Sequence, residues 1–260
     1  MTKPVIFVRH FEDLSKIKTY GFDSPLKEYD LDNTTINTAV KTILEAVQNL
    51  RINSIRIVHS KQRRAVESAH IFKKKIETKY SVFLQEEDLL SDFSQGVVAL
   101  NYEYHDGEEL SILKEAWQDF EERAYSKKDT KYKFGESFGE GFNKAGDSLL
   151  TYLNRNYIFF ENILSDVYQN DEELLVICCH STTILLLLEL EYIVNSKTEY
   201  TLGINPEELP FVCWGIYKEK IKPLFPNGID FGQAFLFSFP VSKYSNIKGI
   251  LQKARKIIIN

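Results

Sequence analysis

The sequence predicts an α/β fold, a three-layer sandwich in which a mostly parallel central sheet is flanked by helices. Three observations predict it. Short strand-like runs recur at residues 5–8, 55–58 and 174–179, the first and last apolar throughout as buried parallel strands need. Stretches of helical periodicity alternate with them, which is the pattern of a sheet covered on both faces. Each run also stops abruptly at polar residues: Arg9-His10, His59-Ser60 and His180.

The elements follow in order. After the strand at 5–8, residues 34–50 carry Ile36, Val40, Ile43, Leu44, Val47 and Leu50 at helical spacing, an amphipathic helix. The strand at 55–58 leads into residues 63–75, where Ala65, Ala69 and Phe72 share one helix face and Ser60 is the expected N-cap. Val82-Phe83-Leu84 reads as a further strand. The Tyr-, Glu- and Lys-rich stretch 88–135, helical near 110–123, reads as an insertion over the core, with a lid or substrate region at about 94–134. Residues 138–168 read as helical with a break near 154–157, and 184–193 as a helix capped by Ser181-Thr182-Thr183. Strand candidates follow at 211–217 and 234–239. With no internal repeat and no linker, 1–260 reads as a single domain.

Composition excludes several classes. The 260 residues are 43% hydrophobic and 27% charged with 12 Gly and 7 Pro, which does not fit a disordered, collagen-like or low-complexity chain. A net charge of -5 argues against a nucleic-acid or polybasic membrane role while leaving room for a local cationic pocket. The three cysteines, Cys178, Cys179 and Cys213, show no metal-binding spacing, and the adjacent pair is poorly placed to bridge. No apolar leader precedes Arg9, and the most apolar window, 174–188, is short for a bilayer and contains His180. The expectation is a reducing, cytoplasmic setting with no membrane span.

Ligands of open α/β sheets bind at the carboxyl ends of the strands. Three strands therefore bring Arg9-His10, His59-Ser60 with Arg63 and Arg64 just beyond, and His180 to one edge. Arginine binds phosphate oxygens with its planar fork, a neutral histidine can attack phosphorus, and helix N-termini expected near Ser60 and Ser181 favour an anion. The ligand predicted from these residues is a phosphate or phosphate ester.

Five segments carry a family resemblance. Val5-Ile6-Phe7-Val8-Arg9-His10-Phe11-Glu12 resembles a strand followed by Arg-His-Gly-Glu, and Gly21 to Leu26 resembles Gly-x-x-Asp-x-Pro-Leu. Ser60 through Arg64-Ala65 to Ser68-Ala69 is similar to Ser-x-x-x-Arg-Ala-x-x-Thr-Ala. Leu90-Ser91-Asp92 with Gly96 is similar to Leu-x-Glu-x-x-x-Gly. Gly135-Glu136-Ser137 and the strand ending in Cys179-His180 complete the series. Together, in this order, they resemble the histidine phosphatase superfamily, the phosphoglycerate mutase-like proteins, over roughly the first 190 residues.

The resemblance implies a phosphomonoesterase that needs no metal and no cofactor. His10 would be the phosphorylated nucleophile, Arg9, Arg64 and His180 would bind the phosphoryl oxygens, and Asp92 would be the proton donor, with Glu86, Glu87 and Asp88 as competitors. Phe11 and Ser181 stand where the family has glycine, so both are candidate pocket residues, as are Glu12, His59 and Glu136. The implied partner is a small phosphorylated metabolite, without nucleic acid or membrane; a homodimer is open. A phosphoglycerate-type mutase and a non-catalytic phospho-ligand or protein-binding module are the alternatives. His70, His105, Arg63 and Lys73-Lys74-Lys75 read as structural or solvated.

Overall fold

The computed structural model describes residues 2–12, 25–26, 33–48, 52–93, 108–138, 146–167, 173–195 and 208–240. In chain order the strands are β1 (Thr2–Arg9), β2 (Ser54–Ser60), β3 (Ser81–Glu87), β4 (Glu173–Cys179) and β5 (Ala234–Pro240). They form one sheet in the order β3-β2-β4-β1-β5. The pairs β1·β4, β2·β4 and β2·β3 are parallel and β1·β5 is antiparallel. The α/β sandwich with a mostly parallel sheet is therefore what the chain adopts, its one antiparallel strand lying at an edge.

Alternation along the strands sends side chains to two cores. Ile6, Val8, Ile55, Ile57 and Val176 meet Ile36, Ile43 and Phe72 from helices α1 (Thr34–Gln48) and α2 (Arg63–Ile76). On the other face Val5, Phe7, Leu175 and Ile177 meet Tyr157, Phe160, Leu187 and Leu190. Those come from α4 (Leu149–Val167) and α5 (Ser181–Asn195). Helix α3 (Glu108–Phe120) continues as a π-helical turn, Glu121–Ser126, and α6 (Leu209–Ile216) continues as another, Tyr217–Ile221.

Four expectations are corrected. The 211–217 segment is helical, beginning with Pro at the first turn of α6. A short apolar run apolar on all sides gives no periodicity by which to tell a strand from a buried helix. No break occurs at 154–157, since α4 runs through it; the chain instead starts that helix at Leu149. Ser60 ends β2 and is not the cap of α2, which is Gln62; the Ser60 hydroxyl accepts from the Gln62 N–H at 3.3 Å. Ser181 lies inside α5, with its hydroxyl accepting from the Ile229 N–H at 3.0 Å, so it caps a loop turn, not its own helix.

Of the predicted insertion, residues 94–107 lie outside the described residues. From Glu108 onward Trp117, Phe120 and Phe134 pack against Phe93 in the core. Among the described residues no helix is long and apolar enough to cross a membrane. All three cysteines are free and buried, and burial pushes the Cys178 and Cys179 thiols up, which leaves them unreactive.

Candidate active site

In-register pairing of β1 with β4 sets Arg9 beside Cys179, and the His10 N–H donates to the Cys179 carbonyl at 3.0 Å. This places His10 and His180 side by side, ring centroids 5.2 Å apart, at the carboxyl edge of the sheet. Helix α2 begins at the end of the neighbouring strand β2 and delivers Arg64 in its first turn. Arg64 is buried. Its Nε–H donates to His10 Nε2 at 3.1 Å, and its Nη2 reaches Gln62 Oε1 at 3.0 Å and Asp92 Oδ2 at 3.2 Å.

The tautomer of His10 follows from chemistry. Its Nδ1 lies 2.7 Å from the Phe11 carbonyl, which only accepts, so Nδ1 carries the proton and Nε2 carries the lone pair toward Arg64. Burial, then the neighbouring His180 and Arg64, hold His10 well below the usual histidine range, and it is neutral at pH 7. His180 is fully buried, and burial together with Arg64, Arg9 and Arg155 lowers it likewise. Neither ring nitrogen of His180 makes a hydrogen bond with the described residues, and Nδ1 lies 3.6 Å from Asp92 Oδ2.

Among the described residues Asp92 is the carboxylate that reaches this cluster. Its Oδ1 accepts from the Phe93 N–H at 2.9 Å and from the Thr182 hydroxyl at 2.6 Å, while Oδ2 faces Arg64 and His180. The competitors lie elsewhere. Glu87 caps the short 3-10 turn after β3, accepting from the Leu89 N–H at 3.1 Å. Asp88 pairs with Lys61 on the surface, and Glu86 is exposed.

Arg9 is seated by the 228–233 segment: its guanidinium donates to the Ile229 carbonyl and lies 3.8 Å over the Phe231 ring. Phe231 also flanks His10, ring centroids 5.6 Å apart. Gly232 makes the turn possible with φ 70°, its N–H donating to the Arg9 carbonyl at 3.1 Å.

Two candidate pocket residues are placed away from the cluster. Phe11 is fully buried against Phe72, centroids 5.0 Å apart, in the core beneath α1 and α2. Burying that ring is worth about 2–3 kcal/mol, more than it would gain at a wet pocket rim. Its N–H is held by Ser68 Oγ at 2.9 Å. Glu136 is exposed and accepts from the Lys133 N–H at 2.9 Å within its own turn. His59 is buried with Nδ1 donating to the Ser60 carbonyl at 3.1 Å, and Glu12 is half-buried after β1. Gly21 to Ser24 and Gly96 of the resembling motifs lie outside the described residues.

Four residues were missed by the sequence reading. Arg155, from α4, forks onto Asp147 at 3.1 and 2.9 Å and donates to the Ser91 and Asp92 carbonyls at 3.1 and 3.0 Å, fixing the segment that carries Asp92. Gln62 is buried with its Nε2 unsatisfied by the described residues. Thr182 and Phe231 are the others. Only proximity in space reveals them; nothing in their local sequence marks them. Among the described residues no group of three or more His, Cys, Asp or Glu is arranged to hold a metal ion.

The mostly parallel sheet with helices on both faces is the phosphoglycerate mutase-like fold, and this chain has that fold. It is similar to the mycobacterial glucosyl-3-phosphoglycerate phosphatase at 13% identity and TM-score 0.54, covering 94% of each chain. It is also similar to the phosphoglycerate mutase of Bacillus anthracis at 15% identity and TM-score 0.53, covering 95% of this chain and 97% of that one. A structure titled mycobacterial hydrolase 1 matches at 12% identity and TM-score 0.55, covering 93% and 94%. No family model matches the sequence, and no curated protein matches it significantly.

Proposed function

We propose that this protein is a metal-independent phosphomonoesterase that works through a phosphohistidine at His10 on a small phosphorylated metabolite. The observation that carries the reading is the neutral His10 tautomer, with its Nδ1 proton held by the Phe11 carbonyl and its Nε2 lone pair turned toward Arg64. A nucleophile must present a lone pair where the electrophile binds, and here that place is lined by guanidinium groups.

His10 Nε2 attacks phosphorus in line as the bond to the leaving oxygen breaks. Charge spreading over the three equatorial oxygens is met by Arg9, Arg64, His180 and the Gln62 amide, donors set in place before the reaction begins. Asp92 gives its proton to the leaving oxygen. In the second half a water attacks the phosphohistidine, Asp92 takes the proton back, and His10 and phosphate are released.

The departures from the family pattern support catalysis once their surroundings are seen. Phe11 points into the core and leaves the phosphate approach clear, while Ser181 is occupied by the Ile229 N–H. Asp92, one methylene shorter than glutamate, is close to both Arg64 and His180. Two neighbours of this fold are named for a phosphatase and a mutase acting on phosphate esters, which fits the same chemistry.

The test is phosphate release from an aryl phosphate ester with and without chelator, in wild type and His10→Ala, alongside acid-quench trapping of phosphoenzyme. Release that depends on His10 and ignores chelator is expected. Isomerised phosphoglycerate with little free phosphate would replace the phosphatase with a mutase, and absence of both turnover and trapped phosphohistidine would leave a binding module.

A further inference from the structure

A cavity of about 320 Å³ opens beside Asp92, on the α4–α5 side of the sheet. It falls in the size range of small-molecule sites. Thr182 forms the shared wall: it lines the cavity, and its hydroxyl donates to Asp92 Oδ1 at 2.6 Å. Phe93, whose N–H holds the same oxygen, lines it too. From Thr182 one stripe of α5 runs inward through Leu186 to Glu189, seven residues on and so about 10 Å along the helix axis.

The opposite walls are aromatic. Trp117 and Phe120 come from α3, and Tyr125 stacks on Trp214 with centroids 4.0 Å apart. Both π-helical turns contribute, Tyr125 from one and Tyr217 from the other, and such turns concentrate at functional sites. At the inner end Glu189 is buried, and no hydrogen bond or ion pair to the described residues ties down its carboxyl. Burial raises it well above the usual carboxylate range, which favours the protonated form, able to donate as well as accept. Among the described residues of the lining the one cation, Lys222, is exposed.

We propose that this cavity binds the alcohol part of the substrate, an aromatic or alicyclic body carrying a second hydroxyl that bonds to Glu189. The assignment as leaving-group site rests on the phosphatase reading above. Walls of this chemistry disfavour an anionic leaving group such as a glycerate, whose carboxylate would be buried without a cation. A carboxyl with no partner of its own would instead be satisfied by a hydroxyl.

The two tryptophans of the chain, Trp117 and Trp214, both line the cavity, so intrinsic emission reports its occupancy without turnover. Indanol is titrated into wild type, His10→Ala, Leu186→Phe and Glu189→Met, with circular dichroism as the fold control. The expected result is a saturable change in wild type and His10→Ala that weakens at least about tenfold in Leu186→Phe, where the added ring volume occupies the cavity. Wild type should prefer indanol to indane by about fivefold to tenfold, one hydrogen bond, and Glu189→Met should lose that preference; this arm stands even where Leu186→Phe misfolds. In turnover, the kcat/KM ratio of naphthyl phosphate to glycerol phosphate should exceed about a hundredfold and collapse in Leu186→Phe. A non-saturable response, or an indanol-to-indane preference unchanged in Glu189→Met, overturns the site. Equal ratios in wild type and variant overturn its role in the substrate. No phosphate release from any ester, with the emission change intact, overturns the phosphatase reading alone.

Discussion

Replacing Arg155 with Met removes a guanidinium that bonds to neither His10 nor Arg64, yet it should damage stability and chemistry in separable ways. The side chain makes two ionic hydrogen bonds to Asp147, only 7% exposed, and two more to the Ser91 and Asp92 carbonyls. Breaking a buried pair from one side leaves the other charge uncompensated, about 3–5 kcal/mol. Part of that loss is the stranded Asp147, so adding Asp147→Asn should restore about half of it. On the order of 4 kcal/mol corresponds to a fall of roughly 10 °C in Tm for a chain of this size. The chemical loss has another origin, because Asp92 is no longer pinned and a displacement of about 1 Å can cost roughly a hundredfold in rate. Asp92 matters most when the leaving oxygen needs a proton. An alkyl phosphate should therefore lose far more kcat than a nitrophenyl ester, and Asp147→Asn should not recover that difference. Equal kcat losses on the two esters, or full recovery of both by the second substitution, would show that Arg155 serves the fold alone and sink the positioning argument.

Burial and positive neighbours hold His10 and His180 neutral, whereas in the unfolded chain both protonate near 6.5. The unfolded state therefore gains protons below pH 6.5 that the native state refuses, and stability falls as pH drops below that value. The slope is at most about 1.4 kcal/mol per pH unit for each histidine. Urea denaturation between pH 7.5 and 5.5 should show it in wild type and not in the His10→Gln, His180→Gln double variant; parallel slopes would contradict the neutral assignment. Gln62→Leu removes a buried amide donor and should weaken competitive inhibition by inorganic phosphate about tenfold, with kcat less affected; an unchanged inhibition constant would place that amide outside the phosphate site. At Gly232, φ is 70° and an added Cβ would stand 2.6 Å from Thr35 Cγ2 and 2.9 Å from Phe11 Cε1. Gly232→Ala should therefore cost about 1–3 kcal/mol by denaturation midpoint, and a loss below about 0.5 kcal/mol would show that the turn relaxes freely.

The sheet and the carboxyl edge where His10, Arg64 and His180 meet were legible because they rest on local pattern. Val5-Ile6-Phe7-Val8 and the run into Cys179 are buried on both faces, so their apolar continuity identifies parallel strands, and the polar residues that stop them mark the edge. Asp92 was legible only through the resemblance, as the acid of the Leu90-Ser91-Asp92 segment, with Glu86, Glu87 and Asp88 left as competitors. Residues whose roles depend on long-range partners were not. Arg155 looks like any helical arginine until Asp147 and the Asp92 carbonyl arrive from other elements. Phe11 carries no sign of which way it points, because β1 ends two residues before it and pleat alternation no longer applies. Residues 211–217 failed differently: Phe, Val, Trp and Tyr are strand-favouring residues, and packing of α6 against the core overrode that preference.

The seat of Arg9 is built from residues 220 positions apart, and the same late segment holds Ser181 and flanks His10 through Phe231. During synthesis, therefore, His10 emerges long before the loop that orients the neighbouring Arg9 guanidinium. At typical elongation rates of about 5–20 residues per second, many seconds separate the first strand from the segment that completes its edge. Over that interval β1 has neither its antiparallel partner β5 nor the turn at Gly232. Until β5 is made, β1 is an edge strand paired only with β4, and that open edge is the surface most in need of protection until the last strand closes against it.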